Sequence, residues 1–288
     1  MVRAVARKGF ALGWEVFGVA DGFRGLITQR FSPLDDRGVG GILHRGGTIL
    51  GTARAPEFET AAGQSAAVEA IERAGIGGLA VVGGEGSLKG ALRLEELGVD
   101  TALNTALEAI DRIKDTASSH RRAHVVEVMG RRCGHLALTS AVAGGAEAVL
   151  LPEFEPSPEE IVAALESSYE RGKPHFIVVA AEGARPSARE FHEYVNGMHG
   201  TFESRLTVLG HVQRGGSPTA YDRLLSSRLG AAAVEALAGG SSGIMVGVSG
   251  GRRVTFALAE VATLTRSLDE KTYELALTLS GLRREQGR

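Results

Sequence analysis

Short apolar runs alternate along the chain with segments whose apolar residues recur at helical spacing. The runs at 15–19, 79–82, 124–129, 148–151, 176–180, 205–209 and 244–248 predict strands. Several are apolar almost throughout, as expected of strands covered on both faces. Helices are expected over 60–74, over 221–237, where an alanine-rich stretch ends at Gly239-Gly240, and over 268–282. Another is expected from Ser87 onward, carried by Leu88, Leu92 and Leu94. Ser157, Pro158 and Glu160 mark a further helix start: a capping hydroxyl, a proline at the first helical position and a glutamate that can reach back. The first fourteen residues read as a short helix. This alternation predicts an α/β fold of mostly parallel sheets with right-handed crossovers. Ligands of such sheets sit at the carboxyl ends of the strands.

Composition narrows the picture. The 288 residues make one large or two ordinary domains, and 43% hydrophobic content suffices for a sizeable core. A net charge of −2 gives no reason to expect nucleic acid or a membrane surface as partner. The single cysteine, Cys133, excludes an internal disulfide and a cysteine metal site and suits a reducing cytoplasm. Arg3, Arg7 and Lys8 interrupt the apolar core that a signal peptide needs, and no run approaches the ~18 apolar residues of a membrane span.

Four stretches carry candidate chemistry. Gly83-Gly84-Glu85-Gly86-Ser87 follows the 79–82 run and opens a helix, where backbone N–H groups and the helix dipole favour phosphate oxygens. Glu85 there could hold Mg²⁺, which takes few carboxylates beside phosphates; the plain alternative is a βα turn with a surface glutamate. Gly46 to Arg54 is a second glycine-rich loop, and Arg54 is a candidate for neutralising a transferring phosphoryl group. Met129-Gly130-Arg131-Arg132 follows a strand interrupted by Glu127, a charge that must be paired or functional. Arg131 is either an anion ligand or a solvated loop arginine. Arg205, His211 and Arg214 surround the last of the central strands before a Gly-Gly-Ser-Pro turn, and arginine suits bidentate phosphate recognition.

Taken together, RGGTILGTAR, GGEGS, DTALNTALEAIDRIKDTASSH, VEVMGR, GGAEAVLLPE, FIVVAAEGA and LTVLGHVQRGGSPTAYDR resemble the 6-phosphofructokinase family, in family order and over nearly the whole chain. The resemblance implies two Rossmann-like three-layer α/β/α domains: residues 1–99 with about 213–262 for nucleotide, and 100–212 with about 263–288 for fructose 6-phosphate. It implies ATP and Mg²⁺ as donor and cofactor, with Arg54, Gly84, Glu85, Gly86, Ser87 and Gly90 at the nucleotide phosphates and Glu85 toward the metal. Met129, Gly130, Arg131, Glu182, His211 and Arg214 match the sugar-phosphate site. Arg122 and Arg205 match arginines donated across a subunit interface, which implies a homotetramer. Arg54 and Arg131 would be the catalytic cations. Arg3, Arg7, Glu147, Arg171 and Lys173 match an effector site for ADP or phosphoenolpyruvate.

The chain also departs from the family pattern. Met1-Val2-Arg3 falls inside what would be the helix after a first strand and its Gly-Gly-Asp loop. A strand and a Thr-Ile-Asp-Asn-Asp loop, which supplies the family's general base, are expected between Leu97-Gly98-Val99 and Asp100-Thr101-Ala102 and are absent; Asp100 matches the residue after that loop and is not assigned as base. Gly-Glu-Gly at 84–86 resembles an actinobacterial branch, and Gly86 leaves room for ATP rather than pyrophosphate. Arg132, Cys133 and Gly41 depart from the commoner residues, which puts nucleotide control in doubt. The implied activity is phosphorylation of fructose 6-phosphate at its 1-hydroxyl, with a catalytically impaired or regulatory paralogue, or a pyrophosphate-dependent member, as the alternatives.

Overall fold

A computed structural model of the chain describes residues 1–83, 99–117, 122–170, 172, 176–198, 203–261 and 268–280. The helix expected from Ser87 lies outside them. The chain divides into two compact units, Met1–Asp100 with Ser217–Thr265, and Thr101–Gly216 with Arg266–Arg288.

In chain order the first unit begins with α1 (Val2–Ala11), β1 (Phe17–Val19), α2 (Gly22–Ile27), β2 (Phe31–Pro33), a short 3-10 helix Pro56–Glu59 and α3 (Ala61–Arg73). The chain continues with α4 (Val99–Ala117), β3 (Arg122–Val128), α5 (His135–Ala143), β4 (Ala148–Leu150), α6 (Pro158–Glu170), β5 (Phe176–Ala181), α7 (Ala188–Gly197), β6 (Glu203–Val208) and a second 3-10 helix, Gly210–Arg214. It returns to the first unit for α8 (Ala220–Ala238), β7 (Ile244–Ser249), β8 (Arg252–Ala257) and α9 (Leu258–Val261), and ends in α10 (Glu270–Ser280).

The second unit is built on a four-stranded parallel sheet ordered β4-β5-β3-β6. The central β5 is buried at every residue, so its Phe-Ile-Val-Val-Ala-Ala sequence has no polar face to offer. Val125 and Val126 of β3 lie opposite Val178 and Val179 of β5, and Leu206 of β6 lies opposite Val125. Ile110 of α4, Leu138 of α5, Leu165 of α6 and Phe191 of α7 join this core, each at most 1% exposed. Helix starts are capped locally. Ser157 and Ser187 each accept the backbone N–H three residues on, at 3.2 Å, while Glu160 and Glu190 accept the serine's own N–H at 3.0 and 2.8 Å.

In the first unit, Thr60 caps α3 by accepting Gly63 N–H at 3.1 Å, and Thr219 caps α8 by accepting Asp222 N–H at 3.2 Å. Its described sheets are two antiparallel pairs, β1–β2 and β7–β8. The strand expected over 79–82 does not form; the segment is irregular, with Leu79 and Val82 about two-fifths exposed. A strand is stabilised by the ladder on its edges as much as by its own residues, and no described strand pairs with 79–82.

The fully buried ring of Phe191 anchors α7 in the core cluster around the sheet. Phe191→Ala is expected to destabilise the chain by about 3–5 kcal/mol, measured by urea unfolding; a change below about 1 kcal/mol would show that α7 is not held by this contact.

Candidate functional site at the carboxyl end of the parallel sheet

Parallel strands deliver their carboxyl ends to one side, and three of the loops that leave the sheet there carry candidate residues. After β3 come Met129, Gly130 and Arg131; after β5 come Glu182 and Gly183; after β6 come Leu209 and the 3-10 helix with His211 and Arg214. Backbone bonds lace them together: Glu182 N–H to Val128 C=O at 2.9 Å, Gly183 N–H to Gly130 C=O at 3.0 Å and Leu209 N–H to Glu127 C=O at 3.0 Å. Glycine is required twice. Gly130 has φ +143°, and a Cβ on Gly183 would stand 2.0 Å from the Arg131 carbonyl oxygen.

Side chains then meet across the laced loops. Arg131 Nη2 donates to Glu182 Oε1 at 2.8 Å, and this bond holds the exposed guanidinium's proton above its ordinary value. Glu127, half-buried in β3, has its carboxyl pushed up by burial and then by the charge of Glu182, against the opposing pull of Arg189. Gln213 is 1% exposed; its Oε1 accepts Met129 N–H at 2.7 Å and its Nε2 donates to Ala102 C=O at 3.3 Å. His211 and Arg214, on the same 3-10 turn, are exposed. Met129, Gly130, Arg131, Glu182, His211 and Arg214 thus gather at one end of the sheet.

Arg122 and Arg205 do not join them. Arg122 opens β3, and Arg205 is the partner of His124 near the start of β6. The seven-residue β3 spans about 20 Å at ~3.3 Å per residue, so Arg122 is remote from the strand's carboxyl end. Glu203 bridges the two arginines, 3.3 Å from Arg122 Nε and 3.8 Å from Arg205 Nη2. Burial, then Arg122 and Arg205, push the His124 imidazole below its ordinary value.

The remaining candidates are placed as follows. Arg54 is exposed in an irregular stretch of the first unit. Gly84, Glu85, Gly86, Ser87, Gly90, Arg171 and Lys173 lie outside the described residues. Arg3 is half-buried on α1, and Arg7 lies 3.3 Å from Asp36. Glu147 is buried, its carboxylate accepting Ile177 N–H at 2.6 Å at the start of β5. Among the described residues, no three His, Cys, Asp or Glu side chains are grouped to hold a metal. Sequence reasoning assigned no role to Gln213; the only signal is a neutral amide between a histidine and an arginine.

The family model described as Phosphofructokinase matches the chain over residues 1–97 and 96–237. The ATP-dependent 6-phosphofructokinase of Natranaerobius thermophilus is 45% identical over 301 residues, covering 97% of this chain and 94% of the relative. That of Bacillus subtilis is 43% identical with the same coverage. The crystal structure of Pichia pastoris phosphofructokinase in the T-state superposes with a TM-score of 0.83 at 30% identity, over 97% of this chain and 34% of that one. The two matched segments meet at 96–97, and 301 aligned positions exceed the 288 residues here. The relatives therefore carry an internal stretch without counterpart in this chain.

The His124 shift has a solution consequence. Folded, His124 binds its proton more weakly than in the unfolded chain, so between its lowered value and 6.5 the unfolded state carries the extra proton. Stability therefore rises with pH in that window and is lost on acidification below about 6.5. His124→Asn is expected to flatten this part of the melting-temperature profile between pH 5 and 7; an unchanged slope refutes the assignment.

Proposed function

This chain belongs to the phosphofructokinase family, and from that premise we propose that it is an ATP-dependent 6-phosphofructokinase of glycolysis. It transfers the γ-phosphoryl group of ATP to the 1-hydroxyl of fructose 6-phosphate. The observation that carries the sugar-phosphate half is the gathering of Arg131, Glu182, His211 and Arg214 where three parallel strands end. In this reading Met129, Gly130, Arg131, Glu182, His211 and Arg214 bind the sugar phosphate in the second unit. Arg54, Gly84, Glu85, Gly86, Ser87 and Gly90 of the first unit bind the nucleotide, and Gly86 selects ATP over pyrophosphate.

The chemistry forms a bond from O1 to the γ-phosphorus, breaks the bond to the ADP oxygen and releases the O1 proton. Positioning and charge neutralisation carry most of such catalysis, and Arg54 and Arg131 are the neutralising cations. Mg²⁺ at Glu85 would screen the phosphate charges; one carboxylate suffices beside phosphates, so the lack of a metal cluster among the described residues is compatible with it. No residue of this chain is assigned the proton.

Arg122 and Arg205 favour a shared site. They lie toward the start of β3 and β6, so they reach the same ligand as Arg131 only from a second copy, as in a homotetramer. A cytoplasmic location fits a glycolytic enzyme in which no described helix is long and apolar enough to cross a membrane. Arg3, Arg7, Glu147, Arg171 and Lys173 remain the proposed effector residues for ADP or phosphoenolpyruvate.

The break at 96–97 favours a second reading: a member that binds sugar phosphate with impaired transfer. Two measurements separate the possibilities. Arg131→Ala and Arg205→Ala should each lose at least about tenfold in fructose 6-phosphate affinity. Mixed and re-assembled, they should regain part of it, because some sites then contain both arginines; no recovery on mixing argues against a shared site. General-base assistance is worth about 10²–10⁴-fold, so the 288-residue chain should bind fructose 6-phosphate by calorimetry yet form the bisphosphate at least that much more slowly than a family member with the loop. Ordinary kinase rates in a coupled assay would overturn the impaired reading and point to a carboxylate such as Asp100.

A further inference from the structure

We infer that Gln213 is a positioning residue for the sugar-phosphate site, tying the Met129–Arg131 loop, the first turn of α4 and the 3-10 helix of His211 and Arg214 into one register. This rests on reading that site as the one for fructose 6-phosphate.

The local pattern inverts the usual rule. On the Gly210–Arg214 turn the apolar Val212 is 69% exposed while the amide of Gln213 is 1% exposed. A 3-10 helix has about three residues per turn, so turning position 213 inward sends His211, Val212 and Arg214 outward. Burying an amide is favourable only if its groups are satisfied, and both ends are. Oε1 accepts the first N–H beyond β3, at Met129, and Nε2 donates to the Ala102 carbonyl in the first turn of α4. One side chain therefore joins three segments remote in sequence. Two of them carry Arg131, His211 and Arg214, and the third begins beside the 96–97 break. An apolar side chain would leave a half-buried donor and a buried acceptor without this partner. A carboxylate would turn negative charge on the Ala102 carbonyl. A protonated carboxyl, however, reproduces both bonds, because its C=O accepts and its O–H donates.

That last property supplies the test. The full chain, Gln213→Leu and Gln213→Glu are titrated with fructose 6-phosphate by calorimetry from about pH 5.5 to 8.5, with melting curves alongside. Hydrogen exchange is followed in the peptide covering Met129 to Gly134. Gln213→Leu should bind about tenfold more weakly than the parent at every pH, with faster exchange at Met129. Burial raises the carboxyl of Gln213→Glu, so this variant should match the parent within about twofold at the acid end and fall to the weakness of Gln213→Leu at the alkaline end. Parent-like affinity of both variants across the range, with only the melts lowered, would mean a merely structural role and overturn the inference. So would a Gln213→Glu affinity that keeps a constant ratio to the parent. If Gln213→Leu does not fold, the pH titration of Gln213→Glu decides alone. If the parent fails to bind the sugar phosphate, the functional reading falls, while unchanged exchange at Met129 in the folded variants would separately refute the tether.

Discussion

A parallel strand covered on both faces leaves no polar position along its length. β5 shows the constraint at its fullest, buried from Phe176 to Ala181 with its backbone paired to β3 on one side and β4 on the other. Chemistry is therefore pushed to the strand ends, and parallel direction brings the ends of β3, β5 and β6 to one place. Glu127 marks the boundary. One residue short of the end of β3, its carboxylate is already disfavoured by burial, whereas Glu182, just past β5, is exposed and pairs with Arg131. The loops must approach closely to make one site, which is why no side chain fits at Gly183 against the Arg131 carbonyl.

The same constraint explains which elements were legible. The apolar run that becomes β5 and the Ser157-Pro158-Glu160 start of α6 are strong local signals, and both elements form. The 79–82 run looks like β5 in composition but forms no strand; strand formation belongs to a pair of segments, and no described strand pairs with it. β8 escaped notice because Arg252 and Arg253 open it; the clue was the Gly250-Gly251 turn after β7, a two-residue hairpin signal. α7 carries the serine-to-glutamate capping pattern at Ser187 and Glu190, the same pattern recognised at Ser157, but its start lies so near β5 that the apolar run dominates. α5 was hidden differently: His135–Ala143 is short and largely apolar, so it has no polar stripe to reveal a helical period.

Site residues divide along similar lines. Arg131, Glu182 and His211 stand just after apolar runs, where sequence alone can place a polar group at a strand end, and Arg214 follows one turn later. What sequence cannot show is which end of a sheet a strand residue occupies relative to another strand. Arg205 sits in the same short stretch as His211, yet the register pairs it with His124 near the start of β3. Gln213 was invisible for a stronger reason. Its importance comes from Met129 and Ala102, neither of which is near it in the chain, so only the folded arrangement reveals that one amide satisfies both.

This division bears on what a break before α4 can do. Among the described residues, the contacts given above for the carboxyl end of the parallel sheet are made by residues after 101: the β3–β5–β6 ladder, the Arg131–Glu182 pair and the Gln213 bonds. A stretch absent at 96–97 cuts none of them. The described chain resumes after it with α4, whose first turn the Ala102 carbonyl fastens to Gln213. In the proposed reading the sugar-phosphate ligands lie in the second unit, apart from that stretch, whereas the family's general base would lie within it. Binding to a rigid clamp needs only the ground-state contacts, whereas transfer needs groups aligned on the reacting atoms. A chain of this construction can retain the first property while losing much of the second.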